Sequence, residues 1–241
     1  MISSDLHISK HCSGGDPMGL RALDIPALAE DILSVDGLFD RRDGHVTLAL
    51  YRLLLAEGEP VSEERLAAAT GRTVSEIADW LRGTERAELY ERGQVVAFQG
   101  LSLRPTKHLF EVNCQTLYTW CAGDTLMIGD LLSRAARVRS TDPITGRTVS
   151  LTVKNGAVSD VEPSTAMQSM LRPDADGAIG IGDGVVPDAC GPINFFATEE
   201  AGRAFTERVE GTFLLTIEQG LELARLMNRA LFGSALTRRR G

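Results

Sequence analysis

The chain has 241 residues, 43% of them hydrophobic and 24% charged, and a formal net charge of −8 at neutral pH. It is long enough to bury a substantial core, and no stretch approaches the ~18 apolar residues that a membrane-spanning helix needs. The acidic balance argues against a chain that lives on nucleic acid or on anionic lipid, since both demand a basic footprint.

Residues 1–21 read as a flexible leader. His7 and His11 stand at a helical spacing that can hold a metal, with Cys12 beside them, but glycines follow at once and no helical pattern supports a site. The opening MISSDLHISKHC carries charge early and lacks the apolar stretch of a signal peptide, so a cytoplasmic protein is expected. In that reducing setting the four cysteines, Cys12, Cys114, Cys121 and Cys190, are free thiols; they are too few and too scattered for a disulfide scaffold.

Residues 22–95 read as a winged-helix-like three-helix bundle. DIPALAEDILSV, GHVTLALYRLLLAEG and VSEERLAAATGRTVSEIADWLRG each place apolar residues at helical spacing. Thr73 and Glu76 fit a capping box at the start of the last segment, after a glycine-bearing turn. A DNA-binding role would rest on Arg82 and Arg86, but Glu76, Asp79, Glu85 and Glu88 share that stretch and would face phosphate. A packing or lid module is the better reading.

After Leu89 the period shifts towards two. QVVAFQGLSL, KHLFEV, ARVRS, TVSLTV and AVSDV read as short strands, with DPITGR and KNG as hairpin turns. Residues 96–236 are therefore expected to form an antiparallel-sheet core with flanking helices, making the whole chain α+β. The glycine run Gly177–Gly184 lacks a phosphate-loop lysine and a following helix, so it reads as a loop. TIEQGLELARLMNRALFG, opened by a Thr216/Gln219 capping pattern, reads as a core-covering helix in which Met227 is packing. Residues 237–241 are a basic tail.

The chemistry concentrates in LYTWCAGDTL, where Cys121 and Asp124 stand three apart in an apolar run. If a helix covers Leu117 to Leu132, or begins near Cys121, the thiol and the carboxylate share one face. A helix N-terminus eases ionisation of the thiol, while apolar surroundings raise the carboxyl towards a usable proton donor. The same pattern also suits a buried cysteine beside a capping aspartate. Cys190 lies in VPDACGPINFFA, a loop anchored by Phe195 and Phe196. If it meets Cys121, two soft sulfurs and one carboxylate suit a soft, two-coordinate metal ion. His45 and His108 are isolated and read as surface residues rather than bases for a thiol.

These words of sequence, with VSEERLAAATGRTVSEIADWL and GLSLRPTKHLFEV upstream and Cys190 before Phe195-Phe196 downstream, resemble the organomercurial (alkylmercury) lyases. The resemblance spares only the first ~25 residues and the stretch near 164–184. It implies that Cys121 and Cys190 bind mercury, that Asp124 transfers the proton, and that Hg(II) is bound as product with no organic cofactor. It also implies an organomercurial substrate, low-molecular-weight thiols as acceptors and mercuric reductase as the recipient of the product, with no membrane partner. Asp142 stands where members of that family often carry a third cysteine, so a change in core packing is expected there. Cys114 stands where they often carry an acidic residue. A metal-responsive regulator, or a soft-metal trap without turnover, would share the same thiols.

Overall fold

The computed structural model describes residues 23–89, 93–174 and 188–237. His7, His11 and Cys12, the glycine run 177–184 and the arginine tail lie outside the described residues.

Four helices come first: α1 (Ile25–Ser34), α2 (Gly44–Glu57), α3 (Glu63–Thr70) and α4 (Val74–Arg82). Their starts follow the side chains that satisfy orphan amides. Asp24, Asp43 and Ser62 accept from the first-turn N–H groups of α1, α2 and α3, and Thr73 with Glu76 forms the expected capping box on α4. The last three helices make the helix-turn-helix unit. The first, α1, covers the helical segment expected at DIPALAEDILSV and packs chiefly on the C-terminal helix, with Ile25, Leu28, Ala29 and Ile32 buried.

Beyond α4 the chain enters an antiparallel eight-stranded sheet of order β1-β2-β3-β5-β4-β6-β7-β8. Its strands are β1 (Ala87–Leu89), β2 (Val95–Phe98), β3 (Leu101–Ser102), β4 (His108–Val112), β5 (Gln115–Thr119), β6 (Ala136–Thr141), β7 (Thr148–Lys154) and β8 (Ala157–Glu162). The β1–β2 hairpin is the wing. Because β2 also pairs with β3, wing and core share one continuous sheet, and Val61 bridges to Val95 to tie in the helices. DPITGR closes the β6–β7 hairpin and Asn155-Gly156 the β7–β8 turn, as their residues predict. Along β6, Ala136, Val138 and Ser140 point inward while Arg137, Arg139 and Thr141 face solvent.

A second sheet of three strands, β10-β9-β11, uses β9 (Met167–Leu171), β10 (Phe195–Phe196) and β11 (Thr212–Thr216), with α6 (Glu199–Thr206) against it. The helix α5 (Ala122–Leu131) interrupts the large sheet's sequence after β5, and α7 (Ile217–Thr237) covers α5 and α1. Thr216 and Gln219 form the reciprocal cap expected at the start of α7. Gly129 lets α5 lie directly on β7: a Cβ there would come within 2.8 Å of Val153 Cβ. Among the described residues no helix is long and apolar enough to cross a membrane.

Candidate active site

The two ways of starting a helix in LYTWCAGDTL are resolved in favour of the later one. Leu117 and Thr119 belong to β5, and α5 opens with Cys121 as its N-cap. Asp124 is the third helical residue, and its Oδ2 accepts the Cys121 N–H at 3.1 Å. The cap thus ties the carboxylate to the backbone of the cysteine that precedes it.

Cys190 is delivered from the far end of the chain by backbone hydrogen bonds. Ala122 N–H donates to Ile193 C=O at 3.1 Å, and Ile193 N–H to Cys190 C=O at 3.1 Å, which closes a turn directly over the start of α5. β9 holds that turn from the other side. Ser169 Oγ donates to Pro192 C=O at 2.6 Å and accepts Asn194 N–H at 2.9 Å, while Asn194 Nδ2 donates to Gly191 C=O. As a result Cys121 Sγ, Cys190 Sγ and an Asp124 carboxylate oxygen lie within 4.8 Å of one another.

The three groups line a cavity of about 70 Å³ with mostly apolar walls, among them Phe39, Trp120, Met127, Met170, Ile193 and Met227. Met227 is nearly fully buried, as a packing residue would be, and its side chain also contributes to this wall. Desolvation dominates the electrostatics. It raises Asp124 to about 6 against the opposing hydrogen bonds from Cys121, as apolar surroundings predict. It also raises Cys121 well above an ordinary thiol, helped by its hydrogen bond to Cys190 and by the charge of Asp124. That last direction corrects the expectation of an easily ionised thiol: burial and the neighbouring carboxylate outweigh the helix N-terminus. Burial therefore favours the neutral thiol of Cys121.

Other sequence expectations sort clearly. Cys114 is exposed in the two-residue turn between β4 and β5, where Asn113 and Cys114 have φ of 51° and 67°. His45 is on the surface. His108 is not: it is wholly buried at an inward position of β4, with Nδ1 2.9 Å from Ser140 Oγ and its ring edge-on to Phe195. Burial, then the charge of Lys107, lowers it to about 3, so it is a neutral core residue. Asp142, where a change in core packing is expected, is fully buried and hydrogen-bonded. Its carboxylate accepts from Ile144 N, Thr145 N, Thr145 Oγ1 and Ala197 N, binding the β6–β7 hairpin to the end of β10.

Three residues facing the site escape the sequence reading. Gln168 on β9 lines the cavity, is 1% exposed, and has an Oε1 without a hydrogen-bond partner. Gln99 and Gly100, in the β2–β3 turn, form the wall beside Asp124. A polar residue inside the apolar run AMQSML was the one available signal for Gln168; the turn residues gave none.

A buried pair of thiols beside a carboxyl of raised pKa, on a sheet fused to a helix-turn-helix unit, suits soft metal ions or their organic derivatives. The family comparisons narrow that class. Residues 101–228 match the alkylmercury lyase family, and residues 41–99 match the helix-turn-helix domain of alkylmercury lyase. The alkylmercury lyase of Streptomyces lividans is 39% identical over 74% of this chain and 80% of its own length. That of Staphylococcus epidermidis is 38% identical over 82% and 90%. The crystal structure of the mercury-bound form of MerB2 superposes with a TM-score of 0.63 at 21% identity, covering 86% of this chain and 98% of that one, and shows the same fold. The chain belongs to the alkylmercury lyase family and is an organomercurial lyase.

Proposed function

We propose that the chain cleaves the carbon–mercury bond of alkyl- or arylmercury by protonolysis, releasing a hydrocarbon and leaving Hg(II) on Cys121 and Cys190. The observation that carries this reading is the convergence of both sulfurs and an Asp124 oxygen within 4.8 Å in an apolar cavity.

The substrate, R–Hg⁺, travels as an adduct of a small thiol. Cys121 displaces that thiol: a new mercury–sulfur bond forms, and the departing thiolate carries off the Cys121 proton. Cys190 then adds its sulfur to mercury. Coordination acidifies its thiol, whose proton passes to Asp124. With a pKa of about 6, Asp124 is mostly ionised near neutral pH and so accepts that proton, yet it holds one more firmly than a surface aspartate would. Two sulfurs donating to mercury push electron density onto carbon. The carbon–mercury pair takes the proton from Asp124, R–H departs, and Hg(II) remains on two thiolates. Atoms and charge balance with no organic cofactor. Apolar walls favour this step, because they exclude competing water and strengthen the interaction between proton donor and developing carbanion.

Hg(II) held by two thiolates leaves only to other thiols, so small cytoplasmic thiols and mercuric reductase are the inferred recipients. A reducing cytoplasm suits the three free cysteines among the described residues. Nucleic acid is not a partner in this reading: Arg86, beyond the end of α4, is 4% exposed, and Arg82 shares its helix with Asp79, its ion-pair partner, and with Glu76. The test is methane evolution from methylmercury in excess cysteine, with Cys190→Ser alongside wild type. Evolution by the wild type and its loss in the variant are expected. Equal rates would remove Cys190 from the chemistry.

A further inference from the structure

The wall beside Asp124 is made of backbone. Gly100 has φ of +98°, and a Cβ added to it would lie 2.6 Å from both Cγ and Oδ1 of Asp124. The Oδ1 side of the carboxyl therefore rests on the Gly100 backbone, while Oδ2 takes the Cys121 N–H. The Gly100 carbonyl also accepts Trp120 N–H at 3.0 Å, so this one residue braces both ends of the segment that carries the thiol and the carboxylate.

The residue before it is held against its own preference. Gln99 has φ of +37°, a region costly for any residue with a Cβ. Its N–H donates to Arg86 C=O at 3.0 Å, its Oε1 accepts Asp40 N–H at 2.8 Å, and its carbonyl accepts the Tyr51 hydroxyl at 2.6 Å. Of these, the Tyr51 bond fixes the plane of the peptide joining Gln99 to Gly100. Tyr51 is buried on α2, and with Gln99 and Asp124 it faces a void of about 10 Å³. At that size it holds no more than about one water.

We propose that Tyr51 is a positioning residue for the Asp124 carboxyl, acting through the Gln99–Gly100 peptide. The kinetic consequence rests on the lyase reading; the geometric consequence does not. Protonolysis needs the proton placed against carbon, and a displacement of about 1 Å costs up to ~100-fold in rate. The helix-turn-helix unit thereby supplies, from α2, a hydroxyl that sets the alignment of the reacting carboxyl.

Tyr51→Phe removes the hydroxyl and keeps the ring. Organomercurial uptake should stay close to wild type and thermal stability should fall by a few degrees for the lost buried hydrogen bond, while single-turnover hydrocarbon release falls about tenfold and a crystal structure shows the Asp124 carboxyl turned away from Cys121 N. Gly100→Ala, which drives a methyl into the carboxyl, should give a larger loss of release. Wild-type release from Tyr51→Phe with the carboxyl unmoved would overturn the proposal. So would a joint fall in uptake and release with the carboxyl in place. A wild-type protein that makes no hydrocarbon, while the carboxyl still turns in Tyr51→Phe, would sink the lyase reading and leave the positioning role standing.

Discussion

Asp124 is kept at a cost to the fold. Its pKa is raised by burial from 3.8 to about 6, so the stabilising state is the protonated one. That contribution is fully present below pH ~3.8 and is lost as pH rises through about 6. Asp124→Asn keeps an acceptor for Cys121 N–H without a charge to bury. It should therefore be more stable than wild type at pH 8, by on the order of 2–3 kcal/mol, with the gain vanishing near pH 4. Urea denaturation at the two pH values measures this, and a pH-independent difference would contradict it. Asp142 has the opposite character. Its carboxylate is held below the usual range by hydrogen bonds from Ala197, Thr145 and Ile144 that together outweigh its burial. Asp142→Ala strands the buried Ala197 N–H and should cost about 2–4 kcal/mol in the same experiment while leaving organomercurial uptake by the refolded protein intact.

The site depends on how α5 is seated. Its N-terminus is clamped by the Ala122–Ile193 hydrogen bond, and its middle lies on β7 at Gly129, with no room for a Cβ beside Val153. Gly129→Ala should lower stability by about 1–3 kcal/mol through overpacking, despite the better helix propensity of alanine. Calorimetry showing a stabilised variant would mean that α5 is not pinned there. These elements were unequally visible in the sequence. The capping boxes at Thr73 and Thr216 and the DPITGR and Asn155-Gly156 turns are local chemistry, legible from a few residues. β9 and β11 are not. β9 is buried on both faces through Met170 and so shows no alternation. β5 cannot be separated from the following helix in sequence, because Leu117, Tyr118 and Trp120 are apolar or aromatic in either period, and a helix from Leu117 or from Cys121 fits equally.

Across the whole molecule, the sequence-legible part of the site is the pair within TWCAGD; its third member is set by topology. Nothing in the spacing of Cys190 says that it meets Cys121. The encounter is made by a turn zipped to β9 through Ser169 and docked on α5 through Ile193. Only the family resemblance anticipated it. The electrostatics were half legible for a similar reason: apolar neighbours in sequence predict a raised Asp124, whereas the outcome at Cys121 depends on complete burial beside Cys190 and Asp124. The helix-turn-helix unit likewise carries a DNA-binding pattern in sequence, but the strands of its wing belong to the enzyme's own sheet, and Gln99, at the end of the unit, lines the cavity.

The most direct test of the central claim follows hydrocarbon and mercury together. Reduced wild type and Asp124→Asn would be mixed with one equivalent of methylmercury in the presence of cysteine, with methane measured in the headspace and protein-bound mercury measured after gel filtration. One methane per bound Hg(II) from the wild type is predicted, with uptake but little or no methane from Asp124→Asn. Tight mercury uptake by both proteins with methane from neither would contradict the account and leave a soft-metal trap.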